Sequence, residues 1–236
     1  MGRAFEYRKA RKMKRWGAMS TAFTRIGKEI AMAVKAGGGD VATNARLRLV
    51  VANAKGLNMP KDRVESAIKR ASSKDEKNYE IVFYEGYGPH GIPIVVETAT
   101  DNPTRTVANI RMYFNRNGGI MGTSGSVSFM FNRKGVFKLD PAVINLDEME
   151  MDLIDFGAED IITEDPDEIL IYTSFDDFGS MQKGLEERGI EAVSAELQFI
   201  PTLMKELEDD QLTQLDKLID ALEDDDDVLA VYHNIG

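Results

Sequence analysis

Apolar residues at Met19, Ala22, Phe23, Ile26, Ile30, Ala33 and Val34 recur at intervals of three and four, which predicts an amphipathic helix ending at Gly37-Gly38-Gly39. Leu47, Val50, Val51 and Ala54 predict a second helix, stopped near Gly56. Val64, Ala67, Ile68 and Ala71 predict a third, with Pro60 in its first turn. Connections this short imply a compact helical bundle. The turn between the last two helices is short enough for a helix-turn-helix, although such turns occur in any bundle. The polar stretch 72–77 then reads as a linker.

The pattern changes after Tyr79. Residues 80–131 predict two strands joined at Gly88-Pro89-His90-Gly91, then a helix, then a third strand. Asn102 and Pro103 open that helix and Gly118-Gly119 close it. Val107, Ile110 and Phe114 mark its apolar face, with Arg105 and Arg116 pointing the other way. One helix covers three strands poorly, so this unit needs a partner from elsewhere.

A second alternation follows. Strands are predicted at 136–139, 161–163, 168–173 and 192–199, with helices at 146–156 and 178–188. Their order, βαββαβ, is that of a ferredoxin-like fold complete in itself. It leaves a helix on Leu212, Leu215, Leu218, Ile219 and Leu222 and a strand at 228–232, which together bury too little apolar area to stand free. The carboxyl terminus is therefore expected to return to the earlier strands. The fold class that follows is α+β and multidomain: a basic helical domain over 1–73 with a tail at 1–16, a discontinuous α+β domain over 79–132 plus 201–236, and an inserted ferredoxin-like α+β domain over 133–200.

Composition fits a globular protein, with 43% hydrophobic and 29% charged residues among 236. No apolar run approaches the roughly 18 residues of a membrane span, and the basic amino terminus lacks a signal peptide's apolar core. Without cysteine there is no disulfide, thiolate metal site or cysteine nucleophile. A cytoplasmic protein without membrane partners is expected. The net charge of −11 conceals a split: residues 1–70 hold 17 Lys and Arg against 5 Asp and Glu, a net of +12, and the remainder holds 12 against 35, a net of −23. A basic head on an acidic body can grip a polyanion while the body is repelled from it.

The candidate phosphate contacts are the tail residues Arg8, Lys9, Arg11, Lys12, Lys14 and Arg15, and, off the helical apolar stripes, Arg25, Lys28, Arg46, Arg48, Lys55, Lys61, Arg63, Lys69 and Arg70. Arg105 and Arg116 are secondary candidates. Phe5, Tyr7 and Trp16 are aromatic enough to stack on bases, but Trp16 reads better as a staple of the tail to the first helix. Charge reversal at Arg46, Arg48 and Lys61 together is expected to abolish binding and spare the fold, because all three are predicted exposed.

No phosphate-loop or dinucleotide glycine fingerprint is present, and Gly86, Gly88 and Gly91 match a turn. His90 and His233 could meet if the last strand returns, but two histidines without a third ligand make a poor metal site. The run Glu223-Asp224-Asp225-Asp226-Asp227 lacks calcium-loop spacing and reads as a solvated helix end that repels nucleic acid. No enzyme, no cofactor and no small-molecule substrate is expected.

Several motifs standing in one order resemble those of the YebC/PmpR family: Gly37-Gly38-Gly39-Asp40, Asn44-Ala45-Arg46-Leu47-Arg48, Asn58-Met59-Pro60-Lys61-Asp62, Ala67-Ile68-Lys69-Arg70, Tyr84-Glu85-Gly86-Tyr87-Gly88-Pro89, Thr100-Asp101-Asn102, Arg105-Thr106-Val107, Asn117-Gly118-Gly119 and the segment 125–131. The resemblance implies three domains, a helical head and two α+β units. It also implies control of gene expression, since members are usually described as probable transcriptional regulatory proteins. Relatives include a mitochondrial translational activator and ribosome-associated factors. DNA and ribosomal RNA are thus both implied as partners, with the ribosome behind the second. Many members open with a Gly-His-Ser-Lys-Trp-like stretch, where this chain has Gly2-Arg3-Ala4-Phe5-Glu6-Tyr7. Composition does not separate DNA from RNA, and no Asn, Gln and Arg array marks a base-reading helix.

Overall fold

The structure is a computed structural model that describes residues 19–73 and 77–236. Helices α1 (Met19–Gly37), α2 (Ala45–Gly56) and α3 (Lys61–Ala71) bury their apolar stripes against one another, around Ile26, Ile30, Leu47, Val50 and Val64. Asn44 fastens the first corner. Its side-chain oxygen accepts from Leu47 N at 3.0 Å to cap α2, and its Nδ2 donates to the carbonyls of Ala33 and Gly38 at 2.8 Å. One of those carbonyls lies near the end of α1 and the other just beyond it, so Asn44 ties the end of α1 to the start of α2.

The chain continues into β1 (Glu80–Gly88), β2 (Ile92–Thr100), α4 (Pro103–Arg116) and the two-residue β3 (Ile120–Met121). It then builds β4 (Phe131–Leu139), α5 (Leu146–Asp155), β5 (Ala158–Asp165), β6 (Glu168–Ser174), α6 (Phe178–Glu187) and β7 (Ser194–Pro201). Last come α7 (Asp209–Glu223) and β8 (Val228–His233). Two antiparallel sheets result, in the orders β3-β1-β2-β8 and β5-β6-β4-β7.

The last strand lies beside β2, with Ile94 opposite His233 and Val96 opposite Val231. The helix before it supplies the partner that α4 lacked. Ile92, Ile94 and Val96 pack on Ile110 and Phe114 of α4 and on Leu215, Leu218 and Leu222 of α7. The other face of this sheet, with Phe83, Val95 and Tyr232, lies against Val127, Phe131 and Phe199. In the second sheet Phe137, Leu139, Ile169 and Ile171 pack on Leu153, Met181 and Leu185 of the flanking helices.

The third strand of the first sheet is the two-residue Ile120–Met121, and residues 122–130 after it form a loop closed by a short 3-10 turn at Ser128–Met130. Glu85 is the cause. Its buried carboxylate accepts from the backbone N–H groups of Gly125, Val127 and Ser128, each at 2.8 Å, so these donors are taken from any ladder. Burial opposes ionisation of Glu85, yet the three N–H groups hold its pKa below the ordinary value. Among the described residues no helix is long and apolar enough to cross a membrane, and no group of three or more His, Asp or Glu is placed to hold a metal ion.

Candidate nucleic-acid interface

Helix α3 forms the outer wall of the head. Val64 and Ala71 turn inward, leaving Lys61, Arg63, Lys69 and Arg70 exposed. Arg63 stacks over Phe23, with its guanidinium carbon 5.6 Å from the ring centroid. Lys61 faces Glu65 one turn on at 3.6 Å, an exposed pair of little energetic weight. Lys69 and Arg70 form no ion pair with a described residue. Arg46, exposed on α2, lines a cleft of about 410 Å³ with Lys35, Lys77 and Tyr79. Lys35 donates to Asn78 Oδ1 at 2.7 Å, and Lys77 pairs with Asp101 at 2.6 Å.

Three other predicted contacts, Arg25, Lys28 and Arg48, are taken up by the acidic units, and their assignment to phosphate is corrected. Lys28 is buried, its Nζ donating to Asp227 Oδ1 at 2.7 Å, to Ala99 O at 2.9 Å and to Asp226 O at 2.7 Å. Arg25 donates to Glu223 O at 2.7 Å. Both residues thus join α1 to the end of α7 and the loop that follows it. Arg48 forks onto Glu186, two N–H···O contacts of 3.2 Å, while its Nη1 reaches the carbonyls of Val41 and Ala42. Lys55 stays exposed, and its pair with the exposed Glu191 carries as little weight as that of Lys61. The physical reason is shared: a helix has two polar flanks beside its apolar stripe, and here one flank of α1 and of α2 meets the acidic units.

The secondary candidates are pulled apart as well. Arg105 donates to Asp227 Oδ2 at 2.6 Å and to Asp101 Oδ1 at 2.9 Å, and is corrected to a structural role. Arg116, at the other end of α4, stays exposed. Arg8, Lys9, Arg11, Lys12, Lys14 and Arg15 lie outside the described residues, as does Trp16.

Three features escape sequence reading. Asp227 is buried, not solvated, and collects Lys28, Arg105, Thr100 and Thr106. Burial alone would raise its pKa, but Lys28, then Arg105 and Thr106, more than reverse this and hold it at about 2. Nothing distinguishes it from the four acids before it in the sequence. Asn53 is the second: its Nδ2 donates to Ala195 O at 3.0 Å and its Oδ1 accepts from Ala195 N at 2.9 Å. Its signal was present, since a polar residue stands three positions after Val50 on a buried stripe. Glu29 is the third. Burial, then Glu196 and Glu97 from the other two units, raise its pKa to about 7, and Arg46 and Arg25 offset this in part.

Residues 79–235 match the family model for the TACO1/YebC second and third domain, and residues 3–74 match that for the TACO1/YebC protein N-terminal domain. The chain belongs to the TACO1/YebC family. A probable transcriptional regulatory protein of Flavobacterium johnsoniae is 56% identical over 235 residues, spanning 100% of this chain and 99% of that protein. One of Cytophaga hutchinsonii, described in the same words, is 57% identical over 236 residues, again spanning 100% and 99%. The crystal structure of a conserved hypothetical protein from Aquifex aeolicus superposes with a TM-score of 0.77 at 32% identity, covering 92% of this chain and 90% of that one. The boundary between the two TACO1/YebC models falls in the polar linker between α3 and β1.

Proposed function

We propose that the protein binds nucleic acid through the outer face of its helical head and acts as a regulator of gene expression, a binding protein rather than an enzyme. One observation carries this reading. Of nine described head candidates, Arg25, Lys28 and Arg48 are spent on the acidic units, Lys55 makes a surface pair with Glu191, and Arg46, Lys61, Arg63, Lys69 and Arg70 remain exposed. The interior contacts leave the cations of α3 exposed on the outside of the head, while Arg46 lies beside the start of the first sheet. The fold supports the split: the inserted unit reads as ferredoxin-like on its βαββαβ order and its strand order β5-β6-β4-β7.

The relatives' description as probable transcriptional regulatory proteins favours duplex DNA. A specific observation favours structured RNA as a second reading. Helix α3 carries no Asn or Gln, the side chains that read adenine bidentately, and its exposed Lys and Arg suit the phosphates of a structured RNA as well as those of a duplex. Fluorescence anisotropy on duplex DNA and on ribosomal RNA fragments, repeated across salt concentrations, tests both. Five phosphate contacts give a log–log salt slope of about −4.5 on B-DNA. Preference for the RNA at equal salt selects the second reading, and a slope near zero on both ligands overturns the proposal.

A further inference from the structure

We infer that the α4–α7 unit holds a separate site for a phosphate group, in a cleft sized for a nucleotide between the end of α4 and the outer face of α7. The cleft measures about 420 Å³ and is lined by His90, Arg116, Asn117, Gln214 and Lys217.

Charge is the first argument. Residues 79–130 and 202–236 hold fifteen Asp and Glu against five Lys and Arg, yet two of those five cations face this cleft. Neither Arg116 nor Lys217 forms an ion pair with a described residue, although Asp220 follows Lys217 by one helical turn. Arg105 of the same helix shows the alternative, clamped between Asp101 and Asp227. Two like charges left facing one concavity are satisfied by an anion.

Geometry is the second. Gln214 and Lys217 are three residues apart and share one face of α7. His90 has φ 61°, a left-handed conformation uncommon outside glycine. It is held there from two sides: Lys205 Nζ donates to its carbonyl at 2.7 Å, and Gln214 Oε1 lies 3.2 Å from its Nε2. Arg116 in the last turn of α4 offsets the negative end of that helix. A guanidinium and an ammonium suit a phosphate, while Gln214 Nε2 and Asn117 Oδ1 suit the attached sugar and base. The His90 ring is held by Gln214 Oε1, and Asn117 Nδ2 donates to Tyr113 O at 2.9 Å. Arg116 lies about 16 Å along α4 from Arg105, so the cleft is distinct from the junction with the head.

The ligand is a phosphate monoester on a nucleoside, free in solution or at the 5′ end of a strand. Backbone and imidazole NMR of the full chain, titrated with adenosine 5′-monophosphate and with adenosine, tests it. Saturable shifts at His90 and Gln214 with the monophosphate but not the nucleoside are expected, weakened about tenfold or more in Arg116→Gln/Lys217→Gln. Both side chains are exposed, so that variant keeps its fold, which its own spectrum checks. Preference for a 5′-phosphorylated over a 5′-hydroxyl oligonucleotide, lost in the double variant, assigns the strand end; response to the mononucleotide without that preference assigns the free nucleotide. Absence of saturable shifts with both phosphorylated ligands, or shifts unaltered in the double variant, overturns the site.

Discussion

Asp227 shows how one residue can be charged and buried at once. Lys28 reaches it from α1, Arg105 from α4, and the hydroxyls of Thr100 and Thr106 complete its shell. Removing one partner of such a pair leaves the other ion buried, which typically costs about 3 kcal/mol or more. Asp227→Asn is expected to lower stability by about that much in urea unfolding at neutral pH. The pH dependence has a definite sign. A carboxyl depressed in the folded state contributes stability above its ordinary pKa of 3.8, and loses it as pH falls toward about 2. The natural protein should therefore lose stability through this group between about pH 4 and pH 2, and the variant should show a flatter profile there. An equal acid slope in both would contradict the network. Composition had marked residues 223–227 as acidic and solvated. Burial is decided by which chain segment returns to cover a residue, and local sequence does not encode that.

At the scale of elements, the head is docked through polar contacts on both its inner helices. Asn53 occupies both backbone groups of Ala195 as a neighbouring strand would, covering part of the edge of β7. Gly56 lets α2 come this close, since a Cβ there would lie 2.0 Å from Val193 O. Asn53→Ala should expose the Ala195 amide and cost about 2 kcal/mol, and hydrogen exchange at that amide reads it directly. Protection equal to the natural protein's would refute the docking role. A second element contact works against stability. Glu29 on α1 faces Glu97 on β2 and Glu196 on β7, and its pKa is raised from 4.5 to about 7. The unfolded chain ionises first, so this group's contribution is whole below about pH 4.5 and is lost as pH rises to about 7. Glu29→Gln should remove that decline and be the more stable protein at pH 8, measured by thermal unfolding at several pH values. The helices themselves were legible, because a 3.6-residue period marks a buried stripe whatever lies beneath it. Docking was not, because the period says nothing about which polar flank meets a neighbour.

For the whole molecule, the charge split between head and body survives as an orientation rather than a separation. Arg25, Lys28 and Arg48 bind the acidic units, and the outer cations are left to solvent. Charge reversal of Lys61, Lys69 and Arg70 together should abolish nucleic-acid binding while each change shifts stability by no more than about 0.5 kcal/mol. Reversal at Arg48 should instead loosen α2 from α6, raising exchange in both helices. Anisotropy beside hydrogen exchange separates the two, and unaltered binding in the triple variant would move the interface away from α3.

The sequence by itself determined the elements, their order, the return of the carboxyl terminus and the concentration of cations in the first seventy residues. These follow from apolar periodicity, turn chemistry and net charge, all readable within a short window of chain. Folding in three dimensions settled which cations face solvent and which are consumed, that Glu85 holds 125–128 in a loop, and that Asp227 joins head to body. Each depends on two groups far apart in the chain meeting at hydrogen-bond distance, and such meetings exist only once the chain has folded.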